Sequence, residues 1–414
     1  MRLTRSARQL CAALLIAMLP AGCGPHSATT STASGTGGTV AIGIDLPTSG
    51  GDASDGIPTR NGAVLAIEQA NQKTVPGGFR FAADDLDDAV QGTHDPAQGA
   101  QNARTFVSDS SVLAMIGPFN SNVAEAEIPI TNATGLVQIS PATVAPGLTQ
   151  GEAAARLRTA QPNTNNFFRV CTTSTQQATA AARFARTLHF SHAYVIDDNE
   201  SYGKGLADLF AADFAKAGGT VLGHEHLTRN QQDFTALLTK AASLHPDIVY
   251  YGGTTVTGGG LVRKQMGDVG LANVAFMGGD GISDAQFITV AGTMANGTYY
   301  TVAAPDATKL PSARAFVADY HKRWGTAVGP YSANAYAAVQ VAVAAAEKAI
   351  RSNGDRMPTR LAVRRNVATT REFPTPIGKI GFDKNGDTLD PILSLYEIKN
   401  GKAQFVNQIA LNAP

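Results

Sequence analysis

The sequence predicts an α/β fold with doubly wound, mostly parallel sheets. Short apolar strands alternate with amphipathic helices along most of the chain. Strand-to-strand intervals cluster near ~25–35 residues, the length of a strand plus a crossover helix. Several strands are apolar throughout instead of alternating, which suits a parallel sheet covered on both faces.

In chain order, strands are expected at Val40–Asp45, Phe79–Ala83, Val112–Ile116, Val137–Ser140, Ala193–Asp197, Asp247–Tyr251 and Val274–Met277, most of them rich in Val, Ile, Ala or aromatic residues. Helical periodicity is expected over Arg60–Gln72, Val123–Thr131, Gly203–Ala217, Phe234–Leu244, Ser312–Trp324 and Asn334–Arg351. In open α/β sheets, ligands sit beyond the carboxyl ends of the strands. Functional residues are therefore expected in the loops 46–56, 117–122, 141–149, 198–205, 252–257 and 278–283.

The N-terminus reads as an export signal. Arg2, Arg5 and Arg8 form a positive stretch, and Leu10–Leu19 is an apolar run too brief for a comfortable membrane span. Leu19-Pro20-Ala21-Gly22-Cys23 resembles a bacterial lipobox, in which Cys23 becomes the lipidated first residue and anchors the mature chain to the membrane. Pro20 stands where that pattern has an aliphatic residue, so a plain secretory signal with an incidental cysteine is the alternative. From Ser27 to Thr39 the chain uses only Ser, Ala, Thr and Gly. Such a stretch cannot offset its ordering entropy, and a flexible tether over 23–38 is expected.

Removing 1–22 takes away three arginines and no acid, leaving 30 basic against 33 acidic residues. That balance argues against nucleic acid as a partner. Cys171 is the one cysteine besides Cys23 in the mature chain, which excludes an internal disulfide framework. The remaining ~375 residues exceed what one core usually serves, so two lobes are expected.

No phosphate-binding loop, dinucleotide fingerprint or nucleophile elbow is present. No catalytic residue and no cofactor are expected, and Cys171 has no evident histidine partner. His224 and His226 fall on one face of a strand at a spacing that can ligate a metal, but with no third ligand evident no metal is expected. The acids Asp84-Asp85 and Asp87-Asp88 lack calcium-loop spacing and read as a solvated loop.

The strand-end loops carry a specific resemblance. Leu46-Pro47-Thr48-Ser49-Gly50, Ile116-Gly117-Pro118-Phe119-Asn120-Ser121, Ile139-Ser140-Pro141, Leu148-Thr149 and Tyr202-Gly203-Lys204-Gly205 come first. Val249-Tyr250-Tyr251-Gly252-Gly253, Phe276-Met277-Gly278-Gly279-Asp280-Gly281, Gly378-Lys379-Ile380-Gly381-Phe382-Asp383 and Asn385-Gly386-Asp387 follow in order. Over roughly residues 39–400 the set resembles the type I periplasmic binding proteins, in their branched-chain amino-acid receptor branch. The resemblance implies two Rossmann-like lobes joined by three crossings, with ligand gripped between them. The crossings are expected near Phe168, Thr298 and Thr375, dividing the chain into 39–167 with 299–374 and 168–298 with 375–412.

Ser121 starts a helix, and Asn122 followed by Glu125 fits a capping box. A helix start attracts a carboxylate, and the resemblance implies that Ser121 helps bind the ligand's α-carboxylate; an ordinary cap would use the same residues. The resemblance implies that the loop after Ser140-Pro141, at Ala142 and Thr143, supplies the next contacts through backbone groups and a threonine hydroxyl. Val144 falls where the family has a threonine, so either Thr143 supplies the hydroxyl or the carboxylate grip is weaker. Asp280 matches the acid that faces the ligand's ammonium, although Gly-Gly-Asp-Gly is also good turn chemistry. Tyr202 matches a ligand-contacting tyrosine that could instead pack the hinge. Thr254 and Thr255 stand where close relatives carry aromatics, and Ser49 with its neighbours is expected to line the cleft.

The implied function is capture of a small amino-acid-like solute by closure of two lobes, followed by presentation to a membrane permease. Urea, short amides and aromatic acids are alternative ligands, and a sensory receptor domain is an alternative role. An extracellular hydrolase lacks any nucleophile constellation.

Overall fold

The computed structural model describes residues 37–411. The export signal, Cys23 and the tether up to Thr36 lie outside the described residues.

The chain opens with β1 (Thr39–Leu46), whose Val40, Ile42, Ile44 and Leu46 enter one core. Helix α1 (Ala53–Ala70) crosses back to β2 (Arg80–Asp87), and a small hairpin of β3 (Ala89–Val90) and β4 (Thr93–His94) leads into α2 (Pro96–Ser108). Then come β5 (Val112–Ile116), α3 (Ser121–Thr134), β6 (Val137–Ser140), the short α4 (Gly151–Arg156) and β7 (Phe167–Arg169). A five-stranded sheet in the order β2-β1-β5-β6-β7 results, with every pairing parallel.

The second sheet is fed by α5 (Ser174–Thr187), β8 (His192–Asp197), α6 (Ser201–Lys216), β9 (Thr220–His226), α7 (Thr235–Ser243) and β10 (Ile248–Gly252). It continues through α8 (Gly260–Gln265), β11 (Ala275–Gly278), α9 (Ala285–Ala291) and β12 (Thr298–Val302). The chain then returns to the first core as α10 (Arg314–Trp324), α11 (Ser332–Ser352) and α12 (Arg360–Ala368). A hairpin of β13 (Phe373–Thr375) and β14 (Gly378–Ile380) precedes β15 (Ile392–Lys399) and β16 (Lys402–Ala410), which join β12 antiparallel. The seven-stranded order is β16-β15-β12-β11-β10-β8-β9.

All seven expected strands and all six expected helices form, within a few residues at their ends except at the start of α1. The mostly parallel α/β class holds. Several expectations do not. Helix α1 begins at Ala53, ahead of Arg60, because Gly56 and Pro58 read as loop. A side chain at Gly56 would put its Cβ 1.7 Å from the Pro47 carbonyl oxygen, so glycine lets the helix sit on the end of β1. The acids expected in a solvated loop lie in β2, paired in register with β1, and Asp88 beyond them is fully buried with neither oxygen hydrogen-bonded.

The boundary expected at Thr375 falls inside the β13–β14 hairpin. Ile377, Ile380 and Phe382 pack with the first core, and the chain reaches the second sheet at β15. Where the chain passes from β7 to α5, the Thr172 amide donates to the Ala303 carbonyl at 2.9 Å and its hydroxyl to Ile392 at 2.7 Å. Beside this junction the buried Arg169 pairs with Asp387 at 2.6 Å.

Candidate functional site

β5 ends at Ile116, and α3 begins at Ser121 with Asn120 as N-cap; the Asn120 side chain makes no cap hydrogen bond, while the Val123 amide donates to Asn122 Oδ1 at 2.9 Å. Such a helix start presents unpaired N–H groups and a partial positive charge. The capping box expected from Asn122 and Glu125 does not form. Asn122 lies inside the first turn, its Nδ2 donates to Glu200 at 3.1 Å, and Glu125 accepts from Ser201 at 2.8 Å. Both side chains are drawn to partners on α6 and the residue before it. Ser121 is buried, and its Oγ accepts from the Ala145 amide at 3.4 Å.

The loop after β6 folds over this helix start. Ser140 Oγ accepts from the amides of Ala142 at 3.2 Å and Thr143 at 3.0 Å while donating to Pro118. The Thr143 carbonyl accepts from Arg169 at 3.1 Å and from the Cys171 thiol at 3.2 Å. Its hydroxyl is buried with no partner, whereas Val144 packs into the apolar cluster around Tyr251 and Phe276. Cys171 is buried among the same residues, and burial pushes its thiol up to about 12.

The second sheet supplies the other end. A Cβ on Gly203 would stand 2.5 Å from the Gly252 carbonyl oxygen, so the start of α6 presses against the end of β10 and carries Tyr202 inward. The Tyr202 hydroxyl accepts from the Gly281 amide at 3.0 Å. Asp280, buried in the turn that follows β11, accepts from Gln177 of α5. Burial pushes the Asp280 carboxyl above its ordinary range, against the hydrogen bond from Gln177. Among the described residues no ion pair engages it. Tyr331, just before α11, stands edge-on to Phe119 with ring centroids 5.4 Å apart, and its buried hydroxyl has no hydrogen-bond partner. Burial and the nearby Asp280 hold that phenol well above its usual range.

The expected residues thus fall into groups. Ser121, Ala142 and Thr143 meet at one end. Tyr202 and Asp280 meet at the other. The two ends are joined through Phe119 and Tyr331 on one side, and through Val144, which accepts from the Ser174 amide of α5 at 2.9 Å, on the other. Thr255 is committed to Asp284 at 2.5 Å, and Thr254 caps the following turn with Thr257. Ser49 lies exposed ahead of α1, and Asn122 faces Glu200 at the rim.

Residues that sequence reasoning missed are Gln177, Tyr331 and Asp55. Asp55 Oδ1 is buried without a partner, and burial with neighbouring Asp284, Asp52 and Asp280 holds the group well above its ordinary range. Ser54 beside it donates to Asp284 at 3.2 Å. The rim is closed by His94, whose ring nitrogens stand 2.8 Å from Asp52 and 2.8 Å from Glu200. Burial works against the charged imidazole, but these two carboxylates outweigh it and raise His94 to about 10. Beside this contact lies a hollow of about 550 Å³ whose lining includes Asn122, Asp198, Glu200, Thr228 and Val256.

Comparison with known proteins follows the same outline. The profile of a family described as periplasmic binding protein matches residues 39–403. The Leu/Ile/Val-binding protein BraC3 of Rhizobium johnstonii is 32% identical over 364 residues, covering 88% of this chain and 92% of its own. Among solved structures, the leucine-binding protein LivK of Thermotoga maritima superposes with a TM-score of 0.78 at 26% identity, covering 90% of this chain and 99% of its own. The substrate-binding protein LivJ of Streptococcus pneumoniae, solved with isoleucine, gives 0.76 at 23% identity, covering 89% and 99%. The last likeness speaks for the fold alone.

Proposed function

The chain belongs to the periplasmic binding protein family, in its Leu/Ile/Val-binding branch, and on that premise we propose that it captures a zwitterionic amino acid for an importer of the ATP-binding-cassette class. The family is one of extracytoplasmic binding proteins and not of enzymes. One observation carries the reading. A buried carboxylate, Asp280, has no cationic partner among the described residues and is linked through a short chain of contacts to the buried helix start at Ser121, where the N-cap side chain of Asn120 leaves the Ser121 and Asn122 amides uncapped. An isolated buried charge is costly, and an ammonium group from a ligand is the missing partner. The ligand's carboxylate then meets the amides of α3 and the free Thr143 hydroxyl.

In this reading the two sheets belong to two lobes, and the junctions at Thr172, Ala303 and Ile392 are the hinge crossings. The contacts of His94 and Ser54 with groups on the other lobe define the closed state. Ligand touching both lobes binds that state better and shifts the population toward it. The loaded, closed protein docks on permease subunits. Calorimetry against leucine, isoleucine and valine tests the reading directly: tight binding of at least one is expected, and none binding would overturn it.

The anchor is proposed from the lipobox-like run ending at Cys23. Among the described residues no helix is long and apolar enough to cross a membrane. Cys23→Ala should move the protein from the membrane fraction to the soluble extracytoplasmic fraction; unchanged fractionation would reject lipidation there.

A further inference from the structure

His224 and His226 alone do not make a site, but the fold brings them a third group. β8 and β9 run parallel, with Val195 beside His224 and Asp197 beside His226. Residues in register, and residues two apart, share a face of the sheet, so Asp197, His224 and His226 project together. Asp197 is fully buried; its Oδ2 lies 2.6 Å from His224 Nε2 and 2.8 Å from His226 Nδ1. The three donor atoms all fall within 4.8 Å of one another.

We propose that Asp197, His224 and His226 form a binding site for a borderline divalent metal ion of the Zn²⁺ class. Two imidazole nitrogens and one carboxylate oxygen suit such ions, whereas Ca²⁺ and Mg²⁺ take oxygen ligands. With metal–donor bonds of about 2.0–2.1 Å, tetrahedral donors stand roughly 3.3 Å apart, so the Asp197–imidazole spacings of 2.6 and 2.8 Å have to open by about half an ångström.

The protons have somewhere to go. In the metal-free hydrogen-bonded state, His224 carries its proton on Nε2, facing Asp197. His226 likewise faces Asp197 with Nδ1, so metal binding requires both protons to leave, His224 then carrying its hydrogen on Nδ1 and His226 on Nε2. Asp208 of α6 stands 3.7 Å from the His224 Nδ1, the place of the outer carboxylate that orients metal-bound imidazoles. β9 is the edge strand, and His226 is half exposed, so an ion has a path in and room for water or an exogenous ligand. Leu227 to Asn230, which follow β9, line the 550 Å³ hollow with Asp198 and Glu200. An ion would therefore fix the two strand ends that frame it.

The test titrates the chelator-treated mature chain with Zn²⁺ by calorimetry and with Co²⁺ by visible absorption. One equivalent per chain is expected, weakened at least about tenfold in His224→Ala and in His226→Ala, and about tenfold in Asp208→Asn. His189→Ala serves as the control, and melting without metal checks that each variant is folded. No stoichiometric uptake, or uptake unchanged in both histidine variants, would overturn the site.

Discussion

At the Ser121 end of the proposed site the groups that would meet a ligand are neutral: the first amides of α3, the loop around Ala142 and the unpaired Thr143 hydroxyl. At the Asp280 end the partner is a formal charge, buried and braced by Gln177. The two ends differ in how binding strength is distributed. A helix start spreads its attraction over several backbone groups, none of which a single substitution removes. The carboxylate concentrates it in one side chain.

That contrast predicts the largest effect at Asp280. Removing one member of a buried charge pair costs about 3–5 kcal/mol, so Asp280→Ala should weaken amino-acid binding by roughly 100-fold or more. Calorimetry showing unchanged affinity would refute the ammonium assignment. The same end should carry the acid sensitivity of binding. On the proposed ammonium assignment the ligand needs ionised Asp280, and burial raises this carboxyl in the free protein. Affinity should therefore fall as pH is lowered, beginning above the range of an ordinary aspartate. In Asp280→Ala that component disappears.

A middle effect is expected at the rim, where His94 holds Asp52 and Glu200 together. Its value of about 10 lies above the ordinary 6.5. The stability contributed by a raised histidine is complete below the unfolded value and lost as pH rises through the folded one. Thermal unfolding of wild type should lose its advantage over His94→Gln between about pH 6.5 and 10. The variant should also bind ligand about tenfold more weakly, because Asp52 and Glu200 then face each other in the closed state. An equal melting difference at pH 6 and pH 10 would remove His94 from this role.

Strands β1, β2, β5, β6, β8, β10 and β11 were legible because continuous apolar runs at crossover spacing leave few alternatives, whereas β7, β12, β15 and β16 were not expected. The strands around β5 and β10, buried at every residue, are the clearest cases. Helix α2 was missed despite a readable start, Asp95-Pro96, whose aspartate caps two amides. Helix α5 was missed despite the box formed by Thr173 and Gln176, and with it went Gln177, the brace on Asp280. Tyr331 and Asp55 carried no such signal. Their roles depend on α11 and α1 arriving beside the second sheet, which is a tertiary fact. The same holds for Asp197, which joins His224 and His226 only through the pairing of β8 with β9. Capping at Asn122 misled because the helix starts at Ser121, which puts Asn122 inside the first turn: its Oδ1 accepts from the neighbouring Val123 amide and its Nδ2 donates to Glu200.

The smallest effect, and the finest test of the neutral end, is at Thr143. A neutral hydrogen bond contributes about 0.5–1.5 kcal/mol net, so Thr143→Val should weaken binding only about two- to tenfold. Its sign on stability separates it from an ordinary structural hydroxyl. The Thr143 Oγ1 is buried without a partner, so replacing it with a methyl removes an unsatisfied polar atom, and ligand-free melting should hold or rise. Ser121→Ala provides the contrast, because Ser121 Oγ already accepts from the Ala145 amide; there, melting without ligand should fall together with affinity. If Thr143→Val lowers ligand-free melting while leaving affinity intact, its hydroxyl serves the fold, and the carboxylate is held by the amides of α3 alone.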